Sequence, residues 1–230
     1  MRPFEYTAPQ STQQAIGLLG KTWQQAQVLA GGTDLLALMK DDVVTPRRLV
    51  NIKDIDGLRR VGPMADGFSI GSLVHLNDLA DHATIRQNYP MLAYALDEAA
   101  SPQIRNMATI GGNLCQRPRC WYFRNGFGLL AMKDGKSMVT DGDNRYHAIL
   151  GNEGPAKFVS PSTIAPALIA YGAQVTLTGP KGSRTVPLAK FYRTPQSEDQ
   201  REHDLQPNEV MTEIILPGKS PKPTHAAQYE

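Results

Sequence analysis

The sequence predicts an α+β fold in two parts: a small β/α subdomain over residues 1–57, then an antiparallel sheet with flanking helices over residues 58–218. Three observations carry that expectation. A short apolar run, Gln27–Ala30, is followed at once by Gly31-Gly32-Thr33-Asp34 and then by Leu35–Lys40, which reads as strand, glycine loop and helix of ordinary lengths. Further on, Gln174–Thr178 and Arg184–Pro187 flank the turn Gly179-Pro180-Lys181-Gly182-Ser183, the pattern of a β-hairpin. Glu209–Leu216 then supplies another strand, and strands joined by hairpins with helices set apart from them make an α+β layout.

Taken in order, the first element is a helix. Ser11 precedes Thr12–Gly20 with Gln14 three residues on, the spacing at which each side chain satisfies the other's free backbone N–H. Ala15, Ile16, Leu18 and Leu19 fall on one face, and Gly20 is the stop. After the strand–loop–helix centred on Gly31, Arg48–Lys53 reads as a second strand. In the middle of the chain, Gly67–Ser72 alternates like a half-buried strand, while Asn77–Asp81 and Pro90–Ala100 read as helices. Pro161–Tyr171 is a helix starting near Ser162, with Pro166 predicting irregularity or a later start. Gln196–Pro207 is polar and charged, as an exposed loop would be.

Composition narrows the function. With 41% hydrophobic residues in 230, a sizeable core is expected and wholesale disorder is excluded. The 24 Lys+Arg exceed the 22 Asp+Glu by only two, so bulk charge does not point to nucleic acid. No run approaches the roughly 20 apolar residues of a spanning helix, so no membrane insertion is expected. Met1–Gln10 has no apolar h-region, and two cysteines make no disulfide framework; both suit a reducing, cytoplasmic setting.

Two glycine loops are the candidate ligand sites. In Ala30-Gly31-Gly32-Thr33-Asp34 the glycines allow a sharp turn and close approach, so consecutive N–H groups can form a nest for phosphate, with Thr33 adding a hydroxyl. Asp34 suits an N-cap better than a phosphate contact, since its charge repels an anion. A plain tight turn before a capped helix explains the same residues. The loop is neither G-x-G-x-x-G nor G-x-x-x-x-G-K-[ST], so neither a dinucleotide fold nor a P-loop is indicated. The second loop, Ala108-Thr109-Ile110-Gly111-Gly112-Asn113-Leu114, again joins glycines to donors, Thr109 and Asn113, with Arg105 and Asn106 just upstream. Two such loops can clamp one pyrophosphate; a β-bulge in a buried strand is the alternative.

The stretch Cys115–Arg124 (CQRPRCWYFR) concentrates three arginines and three aromatics in ten residues, which suits a cofactor or partner surface. Its two cysteines fall short of the four ligands of a usual zinc or iron–sulfur site, and the five histidines are scattered singly, so no metal is expected on this chain. There is no G-x-S-x-G, no H-E-x-x-H and no obvious carboxylate pair. Any redox or group-transfer chemistry would be carried by a cofactor.

In combination, AGGTDLLALMK (30–40), ATIGGNLCQRPRCWYFRN (108–125) and PSTIAPALIAYGAQVTL (161–177) resemble the FAD-binding subunit of the molybdenum hydroxylases, the xanthine dehydrogenase and carbon monoxide dehydrogenase superfamily. The QRPRCWYFR stretch is similar to flavoproteins of the aldehyde oxidoreductase and hydroxybenzoyl-CoA reductase kind. The resemblance implies a flavin domain of the vanillyl-alcohol-oxidase (PCMH) type that passes electrons through FAD, beside a large molybdopterin subunit and a small subunit with two [2Fe–2S] clusters. It implies FAD contacts from Ala30, Gly31, Gly32, Thr33, Asp34, Leu35 and Leu36, from Thr109, Gly111, Gly112, Asn113 and Leu114, and from Ser162 and Thr163. Related subunits carry aspartate where this chain has Thr163; a hydroxyl replaces one hydrogen bond but not the charge. Some relatives hold a [4Fe–4S] cluster near the QRxRCxYF motif, and the lack of cysteines beyond Cys115 and Cys120 predicts none here. Residues 219–230 are expected to be a linker and the start of a further flavoprotein subdomain. The alternative is a self-contained FAD-dependent reductase of the same fold, which needs an internal general acid that the sequence does not reveal.

Overall fold

The computed structural model describes residues 1–218, and the expectation for residues 219–230 lies outside them. The chain opens with β1 (Glu5–Thr7), α1 (Thr12–Leu18), β2 (Gln27–Leu29), α2 (Leu35–Lys40) and β3 (Arg48–Asn51). The three strands form a parallel sheet in the order β1-β3-β2. Parallel neighbours need crossovers, which α1 and α2 supply. α1 shows half of the expected capping box: Ser11 Oγ accepts from Gln14 N at 3.2 Å, but Gln14 Oε1 accepts from Gln10 N at 2.9 Å and not from Ser11 N. Ala15 and Ile16 pack with Val50, Ile52, Ile55, Leu58 and Leu73 in a small core.

The second sheet is antiparallel and five-stranded. β4 (Val61–Met64) and β5 (Gly67–Gly71) form its first hairpin. Helices α3 (Leu76–Ala80), α4 (Ala83–Asn88), α5 (Pro90–Glu98), α6 (Pro102–Arg105), α7 (Ile110–Leu114) and α8 (Trp121–Arg124) follow, then the two-residue strands β6 (Met132–Lys133) and β7 (Lys136–Ser137). The chain returns through α9 (Ile164–Ala170), β8 (Gln174–Gly179), β9 (Gly182–Pro187), α10 (Leu188–Phe191) and β10 (Val210–Pro217). The sheet order is β4-β5-β10-β8-β9, so the last strand fills the centre, antiparallel to both neighbours. Its buried Val210, Met211, Ile214 and Leu216 explain that place. The main core packs Phe68 and Ile70 of β5, Leu177 of β8 and Ile214 of β10 against Leu76, Leu92, Leu96, Ile164 and Leu168 from the helices.

The structure corrects several local expectations. Glu5–Thr7, Val61–Met64, Ala83–Asn88 and Leu188–Phe191 form elements the sequence did not announce. The helix expected to start near Ser162, or later because of Pro166, starts at Ile164; Pro166 then sits in the first turn, where its missing N–H costs nothing. Gly111 and Gly112 lie in α7 and not in a β-bulge. Residues 196–207 are not simply an exposed loop: Glu202 and His203 are buried, and His203 makes an antiparallel bridge with Tyr192.

Candidate functional site

A cleft enclosing about 1090 Å³ of empty space, counting its open mouth, runs between the end of β2, the loop into α7 and the start of β10. Its walls are mostly apolar, with Leu19, Val28, Leu38, Leu73 and Met211 among them. Nine of the residues singled out from sequence line it: Ala30, Gly31, Gly32, Thr33, Asp34, Leu35, Thr109, Gly111 and Gly112. Two loops some eighty residues apart in sequence therefore meet at one site.

The glycines explain the meeting. A Cβ on Gly31 would stand 1.9 Å from the Met107 carbonyl oxygen, so only glycine lets the first loop touch the chain entering the second. On Gly111 it would stand 2.7 Å from Ser72 Cβ, which brings α7 against the end of β5. Gly32 has φ +76°, a left-handed conformation that turns the first loop into a nest. Among the described residues, the amide N–H groups of Gly32, Thr33, Asp34 and Leu35 have no protein acceptor.

The second loop is different. The N–H of Ile110 is donated to Val74 O, that of Gly111 to Ser72 O, that of Gly112 to Thr109 Oγ1 and that of Asn113 to Thr109 O. The expectation of two equivalent amide nests is thus corrected: the first loop offers free donors, and the second offers a wall whose amides are already used. Ser72 Oγ, buried beside Gly111, has no partner and lines the cleft.

Five of the candidate residues stand away from the cleft lining. Leu36 folds its side chain over Gly32, and Leu114 is buried in the main core. Ser162 Oγ donates to Asn113 Oδ1 at 2.6 Å and accepts from Ala165 N at 3.1 Å, so it joins α7 to α9 and caps the latter. Thr163 makes no side-chain capping bond. Arg105 donates to the carbonyls of Asp97, Ala99 and Ala100, closing the end of α5, and does not line the cleft.

Asp34 is the clearest correction. It stands at the N-cap position of α2, yet its side chain makes no capping bond. Its carboxylate accepts from Arg117 N at 2.9 Å and from the Arg124 guanidinium at 2.7 Å. The arginine-rich segment therefore grips the glycine loop. Arg117 in turn pairs with buried Glu202 at 2.5 Å. Cys120 Sγ lies 3.1 Å from His147 Nε2, and no group of three or more His, Cys, Asp or Glu residues suited to a metal occurs among the described residues.

Trp23, Arg201 and His203 also line the cleft, and nothing in their sequence spacing marks them. The Arg201 guanidinium lies over the Trp23 ring at 4.2 Å, and His203 stacks on Phe191 at 5.3 Å between centroids. Burial, opposed by Glu202, brings the His203 imidazole down to about 4. Burial and neighbouring Arg117 bring Arg201 down to about 9. Burial and then Glu202 push the Cys115 thiol up to about 12.

Residues 2–219 match the family described as the FAD-binding domain in molybdopterin dehydrogenase. The chain belongs to that family. It is 36% identical over 204 residues to the aldehyde oxidoreductase FAD-binding subunit PaoB of Escherichia coli K12, covering 84% of this chain and 61% of that protein. It is 32% identical over 214 residues to the carbon monoxide dehydrogenase medium chain of Hydrogenophaga pseudoflava, covering 93% of this chain and 58% of the relative. Its fold superimposes on a solved structure of carbon monoxide dehydrogenase from Hydrogenophaga pseudoflava with a TM-score of 0.67 at 30% identity, covering 96% of this chain and 61% of that one. The chain thus spans about three fifths of the length of these relatives. The mixed architecture is that of the family's FAD-binding domain.

The residues present fit FAD. Free amides in the Gly32–Leu35 nest suit a diphosphate, the unpartnered Ser72 hydroxyl faces the same space, and the apolar walls suit aromatic rings. No helix among the described residues is long and apolar enough to cross a membrane.

Proposed function

We propose that this chain is the FAD-binding, electron-transferring subunit of a cytoplasmic molybdenum hydroxylase complex, with 1–57 and 58–218 as its two flavin-binding subdomains. The observation that carries the reading is the free amide nest of Gly32–Leu35, in a cleft that the family's second glycine loop completes. The nest holds the diphosphate through main-chain N–H groups and Thr33, while Ser72 Oγ donates from the facing wall. Thr109, Gly111 and Gly112 bound the cleft on the facing side. Asp34 does not touch phosphate; it fixes the loop through Arg117 N and Arg124. Bound FAD supplies redox chemistry that can take single electrons from iron–sulfur carriers and deliver them to an acceptor. In this reading the clusters belong to a small [2Fe–2S] subunit, and a large molybdopterin subunit selects the substrate.

The test is to express the chain with and without its candidate partner subunits and ask what travels with it. Yellow protein with bound FAD, recovered with an iron–sulfur and a molybdopterin polypeptide, is the expected result. Protein that stays colourless when FAD is added would refute the reading.

A further inference from the structure

Several arginines surround the cleft, and nearly all are committed. Arg117 pairs with Glu202, while Arg119 and Arg124 pair with Asp34. Arg201 is the exception. It lines the same cleft as the glycine nest, it lies over the face of Trp23, and among the described residues it joins no ion pair and donates no hydrogen bond. Around it stand Glu202, already engaged by Arg117, the Arg117 guanidinium itself and the neutral Cys115 thiol. His203, only 6% exposed, lines the same stretch with its Nδ1 lacking any partner. An unpaired guanidinium next to an unsatisfied, nine-tenths buried ring nitrogen is costly unless a ligand completes both.

We propose that Arg201, held over the Trp23 ring and flanked by His203 Nδ1, is the cationic anchor for a phosphate of the bound dinucleotide. The nest provides N–H donors without net charge. Arg201 provides the charge, as a planar fork suited to two phosphate oxygens. The indole beneath it holds the fork in one orientation, lowering the rotamer freedom lost on binding. This inference rests on the flavin reading, and it assigns the charge complement of that site to a residue far along the chain from either glycine loop.

The test titrates the wild-type chain, R201A, R201K and the exposed control R145A with FAD, riboflavin and ADP, following flavin fluorescence and heat of binding. Thermal melting of each variant checks that it is folded. Losing a charged hydrogen-bond pair to phosphate should weaken FAD and ADP by tenfold or more in R201A. R201K should fall between, since it keeps the charge but not the fork. Riboflavin, which has no phosphate, should bind R201A and wild type alike, and R145A should match wild type throughout. If ADP binds in an Arg201-dependent way and FAD does not, the anion anchor stands and the flavin reading falls. If FAD binds R201A within twofold of wild type, or riboflavin loses as much as FAD, the anchor is overturned and the flavin reading survives. If wild type binds neither FAD nor ADP, both are overturned.

Discussion

The carboxylate of Asp34 lies 2.7 Å from the Arg124 guanidinium, 90 residues away in sequence. That contact ties the loop carrying the free amide nest to the helix at the end of the arginine-rich segment. Both side chains are largely buried, Asp34 at 15% exposure and Arg124 at 17%. Removing the acid strands the cation in a low-dielectric setting, where the loss from breaking such a pair is about 3 kcal/mol. D34A should therefore lower the urea midpoint clearly and loosen FAD binding. A double-mutant cycle with R124A should show strong coupling; additive losses would mean that the pair does not position the loop.

Gly31 and Gly17 form a matched contrast. A Cβ on Gly31 would collide with Met107 O at 1.9 Å, whereas one on Gly17 meets nothing within 4 Å. G31A should separate the two loops and abolish FAD binding, with a destabilisation on the order of 3 kcal/mol. G17A lies inside α1 and should stabilise by about 0.5–1 kcal/mol, leaving FAD affinity unchanged. Equal FAD affinity in G31A and wild type would refute the close approach.

Ser162 and Thr163, neighbours that the family resemblance treats together, should separate experimentally. Ser162 caps α9 and holds Asn113, so S162A should lose about 1 kcal/mol. Thr163 makes no capping bond, so T163A should leave the unfolding free energy within about 0.5 kcal/mol of wild type. Chemical denaturation of the two variants side by side decides the point.

The buried His203 makes stability depend on pH. Its folded value of about 4 lies below the ordinary 6.5, so the unfolded chain binds the proton more readily. The associated stability is complete above about pH 6.5 and is lost as pH falls toward 4, by an amount on the order of 3 kcal/mol. H203F preserves a ring to stack on Phe191 and cannot titrate. Its urea midpoint should fall less steeply between pH 7 and 4 than that of wild type, and parallel slopes would exclude His203 as the source.

Cys115, with its thiol pushed up to about 12, should resist alkylation at pH 8 in the native protein and react only after unfolding. Mass mapping of iodoacetamide adducts, with the urea-unfolded chain as the positive control, tests this; rapid native modification at Cys115 would show that burial does not hold the proton on it.

The sequence by itself settled what is local. The Ser11 cap of the first helix, the strand–loop–helix around Gly31, and the hairpin closed at Pro180-Lys181 depend on spacing and turn chemistry within a dozen residues, and all three stand in the structure. Both glycine loops were also visible as candidates, because each pairs glycines with hydroxyl or amide donors, although a plain turn or bulge explains the same spacing. What spacing could not convey was which groups remain free. The amides of Ile110–Asn113 are consumed by Val74, Ser72 and Thr109, whereas those of Gly32–Leu35 are not. That difference depends on a strand arriving alongside from elsewhere in the chain. Asp34 looked like a helix cap, since a capping acid and an acid bound to a distant arginine have the same local sequence. Arg201 and His203 lay hidden in a polar run that reads as an exposed loop until β10 enters the centre of the sheet and carries the preceding residues into the cleft. Local chemistry thus determined the first loop and the elements with clear caps or turns. Only the long-range packing of the last strand and the arginine-rich segment decided where the charge of the site resides.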